Sequence, residues 1–181
     1  LFYLTEDESN SYLVMEYLEN SSLLDLINNT VEEYEYEEEE EENEQNSNEQ
    51  NQSNKDNKKH IFKIKPLDEK VVQKIFVQLI VALEFLHNVQ HVAHRDIKAE
   101  NVLLDRYNNI RIIDFGLSAI VQDDKKSLKR TVGSVAYTAP EILLKKPYSK
   151  SADIWSAGVL LYALSTSRLP FISRSNSKIV S

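Results

Sequence analysis

A run of acidic residues divides this chain and limits what it can pack into a core. Residues 32–57 contain 12 Asp and Glu side chains and a single basic one, Lys55, so the segment carries 1 − 12 = −11. Tyr34 and Tyr36 are its only aromatic residues. Such a segment cannot bury enough apolar surface to offset the entropy of ordering it, so the stretch from about Asn28 to Lys59 reads as disordered. The whole chain has 21 basic and 29 acidic residues, net −8, which leaves 20 − 17 = +3 outside the tract. A near-neutral part of 181 − 26 = 155 residues, enough for one core, is thus interrupted by a solvated insertion.

Several classes fall on composition. With no cysteine, the chain has no disulfide framework, thiolate zinc site or thiol nucleophile. The apolar run around Ile154 to Leu164 falls short of the roughly 18 residues that cross a bilayer, and no basic-then-apolar leader opens the sequence. The expectation is an intracellular protein, cytoplasmic or nuclear, with no membrane span and no nucleic-acid partner. Residue 1 is Leu rather than Met, which suggests a fragment of a longer reading frame.

Leu1–Leu4 and Tyr12–Met15 are short aromatic and β-branched runs separated by a polar turn-forming cluster, a hairpin pattern. Asn20-Ser21-Ser22 supplies a turn and an N-cap for the apolar pattern Leu23, Leu24, Leu26, Ile27. From Val71 to Leu86 apolar residues recur at helical spacing, which predicts the longest helix, opened near Asp68 and closed near Asn88. Val102–Leu104 and Ile110–Ile113 flank a polar turn and predict a second hairpin. Pro140–Leu144 is helix-like. The near-continuous hydrophobicity from Ser151 to Leu164 predicts a helix buried on most sides, Trp155 included.

The densest polar signal, His94-Arg-Asp-Ile-Lys-Ala-Glu-Asn101, falls between the long helix and the second hairpin, and Asp114-Phe-Gly116 follows that hairpin. Carboxylates, an amide and a lysine at strand ends can supply a general base, oxygen ligands for a hard cation, and a positive group for phosphate. Singly, each motif is as well explained by a turn or by packing.

Together and in this order they are specific, and the sequence resembles a eukaryotic protein kinase. His94-Arg95-Asp96 with Lys98 and Asn101 is similar to the catalytic loop, and Asp114-Phe115-Gly116 to the metal-binding motif. Ala139-Pro140-Glu141 resembles the end of the activation segment, Asp153-Ile-Trp-Ser-Ala-Gly158 the helix after it, and Leu169-Pro170-Phe171 the tripeptide that follows. The implied fold is α+β and kinase-like but incomplete: part of a small-lobe sheet and hinge in residues 1–31, the acidic insertion in 32–59, and a mainly helical large lobe in 60–181, truncated at its C-terminal end.

The resemblance implies ATP and Mg²⁺ as cofactors and Ser or Thr of a protein as acceptor. Asp96 would take the acceptor hydroxyl proton, Lys98 would stabilise charge on the transferred phosphate, and Asn101 and Asp114 would hold the metal. Met15 occupies the gatekeeper position, the backbone of Glu16 and Leu18 would bond adenine, Leu103 would floor that site, and Ser22 would reach the ribose. His94 and Phe115 would align the two loops by packing, and Asp153 would anchor the catalytic-loop backbone. Lys98, with Ser134 in Gly133-Ser-Val-Ala-Tyr-Thr-Ala-Pro-Glu141, points to a serine/threonine kinase similar to the calcium/calmodulin-dependent and SNF1-like group. Arg95 beside the base implies an activation loop ordered by a phosphate, with Thr131 as acceptor for an upstream kinase, or else a loop held without one.

All 3 glycines belong to downstream motifs, so these residues hold no glycine-rich phosphate loop and no strand lysine paired to a helix glutamate. The expectation is a fragment of an active kinase with little activity by itself. The alternative is an inactive remnant acting as a binding or scaffold module, with the acidic insertion as its interaction surface.

Overall fold

The computed structural model describes residues 3–19, 21–37, 58–121, 128, 130 and 132–171. The first expected hairpin forms from β1 (Tyr3–Glu6) and β2 (Ser11–Val14), paired antiparallel with Tyr3 opposite Val14. Asp7 shapes the turn by accepting the N–H groups of Ser9 and Asn10, both at 2.8 Å. Both strands are exposed along their length.

Helix α1 (Leu23–Asn28) starts where the sequence places a cap. Ser22 Oγ accepts the N–H of Asp25 at 3.2 Å, and the Asp25 carboxylate accepts the Ser22 N–H at 2.9 Å, a reciprocal box that satisfies two donors the first turn leaves open. The helix buries Leu23 and Ile27, four residues apart on one face.

The ends of the acidic tract are not disordered. Residues Val31–Glu37 (β3) and Lys58–Ile64 (β4) form an antiparallel ladder running from Val31 opposite Ile64 to Glu37 opposite Lys58. The expectation of disorder rested on lost apolar burial, whereas a ladder pairs backbone groups whatever the side chains are. Residues 38–57 lie outside the described residues.

Helix α2 (Glu69–Glu84) opens at Asp68, whose carboxylate accepts the Lys70 N–H at 2.9 Å. Its buried stripe is Val72, Ile75, Leu79 and Leu83, the spacing of one helical face. A wider turn follows at Phe85–Val89, closed by the Gln90 N–H on the Phe85 carbonyl at 3.1 Å, and it carries His87 into the interior. Over Glu69–Val89, 21 residues with mean hydropathy 1.3 in an 18-residue window, the helix has by length and composition alone what a membrane span needs, which the 16-residue α4 (Ser151–Thr166) does not. Its stripe packs instead on α4, as in a core helix.

Leu79, Leu83, Leu160 and Leu164 are fully buried where α2 meets α4. Burying each leucine contributes about 1.5–3 kcal/mol. Helix α4 is not covered on every side: Ile154, Trp155 and Tyr162 are exposed, and Trp155 stacks on Phe171 with centroids 5.7 Å apart. Ser167 ends α4 in the left-handed region, and its hydroxyl bonds that of buried Thr30, tying the end of α1 to the end of α4.

The second hairpin pairs β6 (Val102–Leu104) with β7 (Ile110–Ile112), its turn held by Asp105, which accepts the N–H groups of Tyr107 and Asn109. Gln78 Oε1 on α2 accepts the Ile110 N–H at 3.2 Å and fixes the hairpin to the helix. A two-residue pair, β5 (Val92–Ala93) with β8 (Ala119–Ile120), brackets the catalytic loop, and α3 (Pro140–Leu143) begins at the expected proline.

Candidate active site

The polar loop 94–101 is suspended from α4. Asp153, 1% exposed, accepts the backbone N–H groups of His94 and Arg95, each at 2.8 Å, and His87 Nε2 lies 2.8 Å from the same carboxylate. Three partners make this buried charge tolerable. Asp153 thus does hold the loop backbone. The loop's other attachment runs through Ile113: its N–H bonds the Asn101 carbonyl at 2.9 Å, and its carbonyl accepts His94 Nε2–H at 3.0 Å.

His94 must be neutral in this arrangement. The Asp96 N–H donates to Nδ1 at 3.3 Å, so the proton sits on Nε2, which donates to Ile113. Burial pushes the His94 pKa down, against the opposing pull of the Ile113 carbonyl and of nearby carboxylates. The Phe115 ring meets the imidazole edge-on, centroids 4.8 Å apart, joining the loop to the Asp-Phe-Gly turn by the expected packing.

Asp96 is the hub. Its Oδ2 accepts Lys98 Nζ at 2.7 Å and Asn101 Nδ2 at 3.0 Å, and its Oδ1 accepts both the N–H and the hydroxyl of Ser134 at 3.2 Å. Burial raises the carboxyl pKa, but the Lys98 hydrogen bond and charge, with the Asn101 and Ser134 bonds, outweigh it and hold Asp96 below the usual carboxylate range. Lys98 also donates to Ser134 Oγ at 3.1 Å, so one ammonium spans the base and the activation segment.

Asn101 directs Nδ2 at Asp96, to its backbone carbonyl at 2.9 Å as well as its carboxylate. That leaves its amide oxygen as a hard donor. Asp114 stands exposed in the left-handed region at φ 61°, with Oδ1 accepting the Gly116 N–H at 3.1 Å. Two oxygen donors suit Mg²⁺, which takes one or two protein ligands and completes its shell with water and phosphate. No cluster of three or more His, Cys, Asp or Glu that could hold a metal ion occurs among the described residues.

The expected nucleotide residues are less tightly gathered. Ser22 and Leu103 meet in an isolated antiparallel bridge. The Ser22 hydroxyl, however, is committed to α1, donating to Asp25 at 2.7 Å. Met15 is 63% exposed, Leu18 is half-buried, and Glu16 lies 3.8 Å from Arg111. Glu16 and Leu18 line a cleft of about 410 Å³ with residues of the β6–β7 hairpin, among them Tyr107 in its turn and Arg111 on β7, and none of the Asp96 cluster lines it. Thr131 lies outside the described residues. Ser134, which the sequence marks only as a class indicator, is a direct partner of Asp96 and Lys98; 38 residues separate it from Asp96, and spacing gives no sign of the contact.

A polar loop hung from a buried helix carboxylate and laid beside an Asp-Phe-Gly turn is the arrangement expected of the protein kinase fold. The chain belongs to the protein kinase domain family, whose pattern it matches over residues 1–181. It is 48% identical over 105 residues to the SNF1-related protein kinase catalytic subunit alpha KIN12 of Arabidopsis thaliana (58% of this chain, 21% of the relative). It is 49% identical over 108 residues to CBL-interacting protein kinase 21 of Oryza sativa subsp. japonica (58% and 20%) and 46% identical over 113 residues to the hormonally up-regulated neu tumor-associated kinase of Homo sapiens (61% and 16%). The aligned part thus spans about a fifth of these relatives' length, and the expected likeness to the SNF1-like group is found.

Proposed function

We propose that the protein carrying these residues is a serine/threonine protein kinase that transfers the γ-phosphoryl group of ATP to a protein hydroxyl. The observation that supports this most is the Asp96 constellation: an ionised carboxylate in contact with Lys98, Asn101 and Ser134. Asp96 accepts the acceptor hydroxyl's proton through Oδ1, the oxygen that Ser134 now bonds. Lys98, 2.7 Å from that carboxylate, lies where charge on the transferred group needs a cation. Asn101 and Asp114 hold Mg²⁺, which supplies charge neutralisation to the phosphates. The scaffold reading is less well supported, because Asp96, Lys98 and Asn101 share one hydrogen-bonded cluster and Asp114 is present in the Asp-Phe-Gly turn.

The test is phosphate transfer by the whole protein from labelled ATP, with Mg²⁺, to a serine- and threonine-containing peptide mixture. Asp96→Asn is expected to reduce kcat by about 10²–10⁴-fold. Labelling of equal rate in that variant would sink the proposal.

A further inference from the structure

Tyr148 lies outside every motif considered so far, yet its hydroxyl joins Arg95, which holds the upstream end of the activation segment, to Arg130 near the downstream end. Upstream, Arg95 Nε donates to the Leu117 carbonyl at 2.5 Å and Nη2 to the Ser118 carbonyl at 3.3 Å, just before β8. Arg95 Nη1 donates to Tyr148 Oη at 3.3 Å, and that hydroxyl donates onward to the Arg130 carbonyl at 2.7 Å. The Tyr148 backbone adds two bonds to Leu128, at 2.9 and 3.1 Å. Each guanidinium nitrogen of Arg95 is therefore engaged by neutral oxygens, in a residue whose own backbone is held at φ 70°.

We propose that Tyr148 is a positioning residue for phosphoryl transfer: its hydroxyl fastens the downstream activation segment to Arg95. Ser134, four residues beyond Arg130 in sequence, bonds Asp96 and Lys98, so holding the Arg130 carbonyl limits how far Ser134 can move from them. The phenol ring is 5% exposed and packs with Ala139, Ile142 and Ala152. Tyr148→Phe keeps this packing and removes only the hydroxyl.

The catalytic consequence rests on the kinase reading, while the clamp itself does not. Trypsin cleaves at the carbonyl that Tyr148 holds, so in the whole protein Tyr148→Phe is expected to speed cleavage after Arg130 about fivefold relative to cleavage after Lys125 and Lys126. In Tyr148→Phe the KM for peptide substrate rises while the KM for ATP stays unchanged. Unchanged relative cleavage together with unchanged kinetics overturns the clamp. If the wild-type protein transfers no phosphate, the kinase reading fails and the cleavage ratio still decides the clamp. Should Tyr148→Phe not fold, Arg95→Lys, which keeps the charge and removes the fork, is expected to show the same selective cleavage after Arg130.

Discussion

The Asp153 carboxylate reaches across 59 residues of sequence to the backbone N–H of His94 at 2.8 Å, and through this contact helix α4 sets the height of the catalytic loop. Asp153→Ala leaves two backbone donors and His87 facing an apolar gap. Removing one side of a buried charged network costs about 3–5 kcal/mol, so the thermal midpoint of this variant is expected to fall by roughly 10 °C. Thermal melting checks it, and a change under about 2 °C would contradict the anchoring role.

Lys98→Met separates binding from chemistry. The ammonium donates to Asp96 and Ser134, 2.7 and 3.1 Å away, both in the loop and activation segment. We expect kcat to drop by about 10²-fold with the KM for ATP within about threefold of wild type, since the lost interaction belongs to the transition state. Steady-state kinetics with ATP varied is the measurement, and a large rise in that KM at constant kcat would assign Lys98 to ground-state binding.

The pH dependence follows from the same contacts. Asp96 has its pKa lowered from 3.8 in the folded state, so its stabilising contribution is complete above pH 3.8 and is lost as pH falls through the folded value. Asp96 accordingly remains ionised throughout the neutral range, and no acid limb in kcat/KM above pH 5 belongs to it. In Lys98→Met the largest opposing influence on the burial penalty is gone, and an acid limb is expected to move upward. A wild-type and variant profile that superimpose would refute this assignment.

His94 titrates with a different signature. Its pKa is lowered from 6.5 by burial, so the unfolded chain takes up a proton more readily, and stability declines as pH falls below 6.5 towards the folded value. Protonation at Nδ1 would also remove the acceptor of the Asp96 N–H. We expect His94→Phe to lower stability at pH 8 but to flatten the loss between pH 6.5 and 5, measured as the wild-type-minus-variant difference in denaturant midpoint. A parallel decline in both proteins would show that other groups carry the acid sensitivity.

Much of this site was legible because its parts are local. His94 to Asn101 form one loop, and the caps at Ser22 and Asp68 and the spacing of Val72, Ile75, Leu79 and Leu83 follow from short-range rules. What the sequence hid is long-range or independent of side chains. The Arg95–Tyr148 contact spans 53 residues, and Ser134 reaches Asp96 across 38. The β3–β4 ladder is a backbone pairing that a composition rule for disorder does not see, and Trp155 is exposed because stacking on Phe171 replaces burial in the core.

Gly133 offers the sharpest steric test of how the activation segment meets the loop. It sits at φ 99°, and a Cβ built there would lie 2.8 Å from the Arg95 carbonyl oxygen, a backbone atom that cannot rotate aside. Gly133→Ala therefore forces either a strained dihedral, costing about 1–3 kcal/mol, or separation of the two segments. Separation withdraws the adjacent Ser134 from Asp96 and Lys98, whereas Asn101 and Asp114 are not in contact with the new methyl group. The expected outcome is a raised KM for peptide and a reduced kcat with Mg²⁺-dependent ATP binding preserved, read by nucleotide titration beside kinetics. Equal loss of nucleotide binding would mean that the strain reaches the whole lobe instead of the segment junction.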